Sequence, residues 1–456
     1  MNSTQPPPQS PLIRAPEDIR LLIYPYLSNG DIKNLRLVSS FFGYTVCPRL
    51  ARVFISANPT NVEVFEAISQ HDGYRAQVKE IIWDEALLVS GPENEECPQW
   101  YRTACRENSR QWDEDSLEWR SWLEPGTHYT QDDPLQIGCQ LPLEESWAYY
   151  RSLLRQQQEV LDSRAHIRAF ESAIGRFPAL RKITITDAAH GQPPTPLYET
   201  PMIRAFPDGF NYALPSCRQS LVGQSLTCNW DETGKGWDGF RAVIHLLAQN
   251  LDSGKVTELD IRSSSRYVDL SKKPCQTLAD FQTVLWRANF ESLHLDLGIN
   301  QDDGRGRSPF ERVSAGAEDE QGLRKLTLRA NIFNFPLRSM FNPNSLQRVR
   351  HINLAHFVVD EYNLLAVLRM LPRIRSININ RLRIYNGNYG TLLCQIRDTL
   401  GWQDRIPRPH ISFVLDQPGF GGIMPRSKLR KQKGVHEFLY EGGLNPFFYD
   451  QYPSNF

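Results

Sequence analysis

Residues 349–379 have the sequence VRHINLAHFVVDEYNLLAVLRMLPRIRSINI, and this stretch contains the pattern that decides the fold. Two segments, Val349-x-x-Ile352-x-Leu354 and Ile374-x-x-Ile377-x-Ile379, space their apolar residues identically. The last two apolar positions of each segment are one residue apart, which is typical of a strand with one buried face. Between them, residues 362–371 (YNLLAVLRML) carry apolar residues at helical spacing. The stretch therefore predicts a strand, a helix and a second strand.

The same apolar spacing recurs along the chain. Copies starting at residues 256, 290, 323, 349 and 374 are 34, 33, 26 and 25 residues apart, and earlier copies start at Val78 and Leu180. A degenerate copy occupies residues 411–413, and helix-like stretches at 164–180, 239–251 and 280–290 precede strands. Leucine-rich repeats have the same apolar core and a period of about 20–29 residues, so the later spacings fit that class. We expect an α/β fold of stacked helix–strand units with the strands on a concave side. The alternative is an ordinary α/β domain with accidental matches.

Length and charge limit the class of protein. The chain has 456 residues, with 51 Lys and Arg against 52 Asp and Glu, for a net charge of −1. This balance argues against a surface that coats nucleic acid, so we do not expect nucleic acid as a partner. No apolar run has the roughly 18–20 residues of a membrane helix, the first residues do not form a signal peptide, and the eight cysteines are scattered. We expect an intracellular protein, in the cytoplasm or nucleus, with no membrane contact.

Residues 15–47 form a separate helical pattern. Ile19, Ile23 and Leu27 belong to an apolar stripe at helical spacing, and Pro25 predicts an early end to this first helix. Asp31 is placed to cap a second helix, which would carry four apolar residues: Ile32, Leu35, Val38 and Phe42. On periodicity alone, this segment is a small helical hairpin that belongs to the main core.

The sequence of residues 15–46, APEDIRLLIYPYLSNGDIKNLRLVSSFFGYTV, resembles the F-box, a short three-helix module. Ala15-Pro16-Glu17, Asp31-Ile32 and residues 35–39 (LRLVS) match the family's motifs, although Ala15 and Ser40 replace its usual Leu and basic residue. The resemblance implies docking on the Skp-type adaptor of a cullin–RING ubiquitin ligase. It assigns the adaptor-facing or supporting positions to Pro16, Ile23, Leu27, Leu35 and Val38. The later repeats similarly resemble the irregular leucine-rich-repeat domains that follow F-boxes in fungal proteins.

These patterns divide the chain into five parts. Residues 1–14 are a disordered tail, 15–55 the F-box, 56–83 a linker helix and first repeat strand, and 151–456 the leucine-rich-repeat-like solenoid. Between them, residues 84–150 are an acidic, tryptophan-rich insertion with 15 acidic and 4 basic residues and five of the ten tryptophans. We expect a helix over 143–163 and an insertion near a basic part of the solenoid. Its tryptophans either pack onto the solenoid or bind a basic partner.

Motifs for catalysis or metal binding are incomplete. Residues 229–234 begin like a calcium loop, but position twelve is Phe240 rather than Glu. The histidines do not cluster, Asp302-Asp303 lies in a turn-rich loop, and the basic run at 426–433 is either a solvated loop or a nuclear-localisation patch. We therefore predict no enzyme, no cofactor, no metal site and no catalytic residue.

The strand pattern also predicts where a target protein binds. Residues between the two core positions point away from the core, towards solvent on the concave face. Their mixed polar chemistry suits a protein or peptide better than a small molecule. The candidate target-binding residues are Asp260, His294, Thr327, Arg329, Asn353 and Asn378, with Thr184, Glu258, Arg262, Lys325, His351 and Asn380 beside them.

We therefore expect an α/β protein with a short N-terminal three-helix F-box followed by an irregular leucine-rich-repeat-like solenoid. It would be the substrate-recognition subunit of an SCF-type ubiquitin ligase, bound to the adaptor and through it to the cullin and RING subunits. The alternative is an adaptor-binding or scaffold protein without a role in ubiquitination. A remoter alternative is an enzyme hidden in the middle region.

Overall fold

The computed structural model describes residues 10–89, 100–105, 141–191, 196–213, 238–249, 255–262, 268–269, 276–298, 322–332, 341, 346–414 and 434–448. Among these residues, no helix has both the length and the apolar character that crossing a membrane requires. The calcium-like loop, Asp302-Asp303, the basic run at 426–433, residues 1–9 and most of the acidic insertion lie outside the described residues.

The predicted α/β class is confirmed by a large parallel sheet in the described part of the chain. Nine of its eleven strands follow the order β1-β2-β3-β4-β6-β7-β8-β9-β11, with β5 beside β6 and β10 beside β8. Every pairing is parallel. The strands are β1 Arg52–Ser56, β2 Glu80–Asp84, β3 Lys182–Thr186, β4 Glu258–Arg262, β5 Val268–Asp269, β6 Ser292–Gly298, β7 Lys325–Ile332, β8 His351–Val359, β9 Ser376–Asn380, β10 Arg383–Ile384 and β11 His410–Val414.

The repeated apolar positions meet in register across this sheet. Each strand of the main path contributes one residue to a continuous buried row, and the second apolar position forms a parallel row two residues further on. Burying each Ile or Leu side chain stabilises the folded state by about 1.5–3 kcal/mol relative to leaving the side chain in water. The pattern seen in the sequence is therefore the inner face of the sheet. The first row is Val53, Ile81, Ile183, Leu259, Leu293, Leu326, Ile352, Ile377 and Ile411.

Helices cover this apolar face and complete one continuous core. Phe65, Phe170, Phe281, Leu364 and Leu392 come from five different helices and pack in the same cluster as the strand residues. The helices are α1 Pro11–Arg14, α2 Glu17–Ile23, α3 Asn29–Val38, α4 Ser40–Thr45, α5 Pro59–Gln70, α6 Asp72–Arg75, α7 Leu143–Ser163, α8 Ala165–Ala173, α9 Pro201–Arg204, α10 Asp238–Gln249, α11 Gln276–Leu285, α12 Glu361–Arg369 and α13 Tyr389–Thr399. Residues 100–105 and 434–440 are also helical, and 3-10 turns occupy Tyr24–Tyr26, Ile174–Arg176 and Trp402–Asp404.

The first strand, β1, begins inside the segment assigned to the F-box and ends one residue beyond it. Val53 and Ile55 are buried and pair with Ile81 and Trp83 of β2. With Leu50 they form another copy of the repeated apolar spacing, 28 residues before the copy at Val78. The sheet therefore starts one strand before the first repeat strand that the spacing from Val78 predicts.

The N-terminal segment is a small helical unit with its own core. Ile32, Phe42 and Val46 are buried together, apart from the main core. The first main helix ends at Ile23 before the turn that contains Pro25, as expected from the proline. The assignment of Asp31 as the cap is wrong. Ser28 is the N-cap of α3, and its hydroxyl accepts a hydrogen bond from the Asp31 backbone N–H at 3.1 Å, while the Asp31 carboxylate accepts from the Ser28 backbone N–H at 2.9 Å.

Two smaller differences in this unit have local causes. Ser39 has an extended backbone, with φ of −152°, so α3 ends at Val38 and Phe42 belongs to the separate helix α4. Pro11–Arg14, within the predicted tail, form one helical turn that Ser10 caps. The described part of this unit therefore holds four short α-helices.

The predicted helix over 143–163 is confirmed as α7 with the same bounds. Its buried residues Trp147 and Tyr150 pack with Tyr101 and Tyr212 in a second apolar cluster. Trp147 therefore packs inside the protein, in this second apolar cluster. Trp112, Trp119 and Trp122 lie outside the described residues.

Candidate functional site

The face of the sheet opposite the helices carries a row of polar residues at the centre of the strands. Thr184, Asp260, His294, Thr327 and Asn353 are direct neighbours in register, and the row continues to Asn378 and Ser412. The candidate target-binding residues are therefore brought together in one row, except for Arg329, which belongs to the next row along the strands. We call this surface the polar face.

An ionic network centred on Asp260 occupies the first half of the polar face. The Arg262 guanidinium donates two hydrogen bonds of 2.8 Å to the two Asp260 carboxylate oxygens. The Lys182 ammonium lies 3.1 Å from Asp260 and 3.1 Å from Glu80, so it links two carboxylates. On the other side, His294 lies 3.6 Å from Asp260. The charges thus alternate across β2, β3 and β4.

These contacts overcome the cost of burying the carboxylates. Burial alone would raise the pKa of Asp260, but His294, Arg262 and Lys182 outweigh burial and hold the pKa well below its usual range. Burial also acts against the charge of Glu80, and Lys182, the Thr184 hydroxyl and Arg52 leave its pKa below the usual value. Both carboxylates are therefore ionised at neutral pH.

The prediction that the centre of this face points to solvent is wrong for Thr184, Asp260 and Thr327. Thr184 is 0% exposed, Asp260 is 4% exposed and Thr327 is 9% exposed. Ion pairing removes Asp260 from water, and the phenol of Tyr198 interacts electrostatically with Asp260 and Arg262 beside it. The ring of Tyr198 also lies 6.0 Å from that of Phe54 on β1. The segment that contains Tyr198 therefore lies close to this part of the polar face.

Access to water returns towards the second half of the sheet. The side chains of Arg329 and His294 are 12% and 25% exposed, and Asn353 and Asn378 are half-buried. The Oδ1 atoms of Asn353 and Asn380 are buried but accept no hydrogen bond. Unpaired buried acceptors are costly, so these two oxygens weaken the hydrogen bonding of the polar face.

A cavity of about 360 Å³ opens on the polar face between these two regions. Its volume is at the lower end of the range of ligand pockets, which suits one or two side chains of a peptide. Its lining is mainly charged and polar: Lys182, Glu258, Leu259, Asp260, Arg262, Ser292, His294, Lys325 and Thr327.

The N-terminal helical unit exposes an unusual amount of apolar surface. Leu37 and Val38 at the end of α3 are 85% and 81% exposed, and Tyr44 of α4 is 90% exposed. Leu22 and Tyr26 are exposed as well. Five large apolar side chains are thus exposed on a unit whose own core has three buried residues. We call Leu22, Tyr26, Leu37, Val38 and Tyr44 the exposed apolar set.

The five adaptor positions assigned from the F-box resemblance have different environments. Pro16 and Val38 are exposed, whereas Ile23 is half-buried. Leu27 and Leu35 pack against the core of the unit itself, so their position is a supporting one. Sequence reasoning missed Leu37, because Leu35, Leu37 and Val38 lie close together in the sequence and only three-dimensional packing shows which of them turns outward.

A second polar cluster was not predicted. His190 and Asp84 are both buried, and Nε2 of His190 lies 3.6 Å from Oδ2 of Asp84. The other His190 nitrogen, Nδ1, lies 2.8 Å from the Tyr212 hydroxyl. Burial raises the pKa of Asp84 well above its usual value and lowers that of His190 to about 4, so His190 is uncharged at neutral pH. No sequence spacing connects residues 84, 190 and 212.

Within the residues that the structure describes, no group of three or more His, Cys, Asp or Glu side chains is arranged to hold a metal ion. No protein-family profile matches the sequence, and no curated protein matches it significantly.

Proposed function

We propose that this chain is the substrate-recognition subunit of an SCF-type ubiquitin ligase. The N-terminal unit would dock on the Skp-type adaptor, and the polar face of the sheet would hold a target protein. The exposed apolar set carries this proposal, because these side chains lie in the segment that resembles an F-box and nothing in the described structure covers them. Ubiquitin transfer would then depend on proximity to another enzyme rather than on residues of this chain.

We further propose that the sheet belongs to a leucine-rich-repeat-like solenoid. Its strand order follows the chain order, and its apolar repeats align in register across nine strands. Each helix–strand unit then contacts mainly its neighbours, which is how repeat proteins build extended binding surfaces.

Copurification with the adaptor tests the docking proposal. We expect the chain to copurify with a coexpressed Skp-type adaptor. The double variant Leu37→Asp/Val38→Asp should no longer copurify with the adaptor. These positions are better than Leu35, because a charge at Leu35 would also disturb the core of the unit. Leu444→Asp, at an apolar residue that is 70% exposed in the C-terminal part, is the matched control.

A folded double variant that copurifies as well as the wild type would overturn the docking proposal. Circular dichroism and thermal unfolding establish that the variant is folded. A complex with the adaptor that excludes the cullin would favour the scaffold alternative instead.

A further inference from the structure

The second half of the sheet is strongly basic, although the whole chain is nearly neutral. Residues 322–414 contain 14 Lys and Arg but only 4 Asp and Glu. All of these charged residues except Arg338 lie in the described part of the chain. The excess positive charge therefore belongs to β7–β11 and the segments that connect them.

Part of this charge is concentrated where β7, β8 and β9 begin. The residues just before the three strands are Arg324, Arg350 and Arg375. Their backbones are hydrogen-bonded to one another. The Arg350 N–H donates to the Arg324 carbonyl, and the Arg375 N–H donates to the Arg350 carbonyl, both at 2.7 Å. In the next position along the strands, Lys325 is the register neighbour of His351. Neighbouring strands are about 4.8 Å apart, so these residues form two short basic rows.

Most of the charge at the start of these strands has no ion-pair partner among the described residues. Arg324 pairs with Glu291 at 3.3 Å. Lys325, Arg350 and Arg375 form no ion pair in the part of the chain that the structure describes. Lys325 and Arg375 are exposed and Arg350 is half-buried. Burial lowers the pKa of His351, and the positive charges of the nearby Arg375, Lys325 and Arg350 lower it further. All three cations therefore lie close to the His351 side chain.

We propose that the basic cluster, defined as Lys325, Arg350, His351 and Arg375, binds a carboxylate-rich, extended segment of a partner protein. The cations are spread over three strands, which matches successive acidic side chains better than one compact anion. Arginine forks also suit carboxylates through paired hydrogen bonds.

The surroundings favour a protein segment over nucleic acid. Within the cluster only the small ring of His351 could stack on a base, whereas single-strand binding typically uses several aromatic platforms. Instead, two amides follow the cluster along β8 and β9. Asn353 comes two residues after His351 and Asn378 three residues after Arg375, and the two are register neighbours that can bond to a peptide backbone. Lys325 also lines the cavity of the polar face, so one segment can contact both. This inference rests on the target-binding half of the proposed function, and it names the chemistry of the target.

Fluorescence anisotropy with the full chain tests this inference without the adaptor. The probes are a labelled 12-residue peptide with alternating Glu and Ser, the same peptide with Gln in place of Glu, a phosphoserine–Gly peptide of the same length, and a single-stranded RNA of 12 nucleotides. We expect the Glu peptide to bind best, with an affinity that falls as salt rises. Arg350→Gln/Arg375→Gln should weaken its binding by about tenfold.

The matched control is Arg155→Gln/Arg176→Gln, which removes the same charge from exposed positions outside the cluster and should leave the affinity unchanged. Equal binding of the Glu and Gln peptides, or an unchanged affinity of the cluster variant, would overturn the inference. Tighter binding of the RNA or of the phosphoserine peptide would also overturn it, in favour of that ligand. Adaptor copurification is unaffected by any of these results, so the two proposals fail separately.

Discussion

Asp260 is a carboxylate with almost no access to water, and it stays charged because Arg262, Lys182 and His294 surround it. Removing it leaves buried cations without their partner. We expect Asp260→Ala to lower the free energy of unfolding by about 3–5 kcal/mol in urea titrations. Asp398→Ala, which removes an exposed carboxylate paired with Arg397, should cost less than about 1 kcal/mol. Equal effects of the two variants would contradict the network.

His166 predicts a loss of stability in mild acid. Burial lowers its pKa to about 4, while the unfolded chain has a pKa of about 6.5. The unfolded state therefore takes up a proton first, and this contribution to stability is present above pH 6.5 and lost as the pH falls towards 4.

Comparing unfolding at pH 7 and pH 5 checks this effect. The wild type should lose about 2 kcal/mol more stability over this range than His166→Gln. His410→Gln, at an exposed histidine, should behave like the wild type. A pH dependence that His166→Gln leaves unchanged would show that His166 is not the group responsible.

At the scale of single elements, strand β8 offers a direct test of which face is core. Leu354 is fully buried against the helices, whereas the neighbouring Asn353 faces the other way and its Oδ1 accepts no hydrogen bond. We expect Leu354→Ala to cost about 2–5 kcal/mol of unfolding free energy. Asn353→Ala should change it by less than about 0.5 kcal/mol. A reversed order, measured by chemical denaturation, would mean that the assignment of the two faces is wrong.

The strands were predictable from the sequence because their apolar residues obey one local rule. The copy at Leu50, Val53 and Ile55 obeys it too, although it lies inside residues 15–55, which the resemblance assigns to the F-box. The cap of α3 was misplaced, since Ser28 and Asp31 are both good capping residues and only the backbone geometry shows that Ser28 comes first.

The site was predictable only in part, for a physical reason. Alternation placed Asp260 and His294 on one face, but it could not show that ion pairing and Tyr198 exclude water there. Likewise, Asp84, His190 and Tyr212 meet only because connections more than twenty residues long bring them together. Such contacts between distant segments leave no periodic signal in a single sequence.

At the scale of the whole molecule, the two proposed binding surfaces belong to different parts of the strand order. The N-terminal unit precedes β1, while the basic cluster lies at β7–β9, and six strand spacings of about 4.8 Å separate β1 from β8 along the sheet path, roughly 30 Å. Adaptor and acidic segment should therefore bind independently. We expect saturating adaptor to change the affinity for the Glu peptide by less than about twofold in anisotropy titrations. Strong competition between the two would contradict separate surfaces.

The most direct test of the central claim is calorimetric titration of the purified chain with the purified Skp-type adaptor. The account predicts stoichiometric binding by the wild type and by Leu444→Asp, and no detectable binding by a folded Leu37→Asp/Val38→Asp variant that still binds the Glu peptide. Absence of binding by the wild type, or wild-type affinity in the double variant, would contradict adaptor docking through the exposed apolar set.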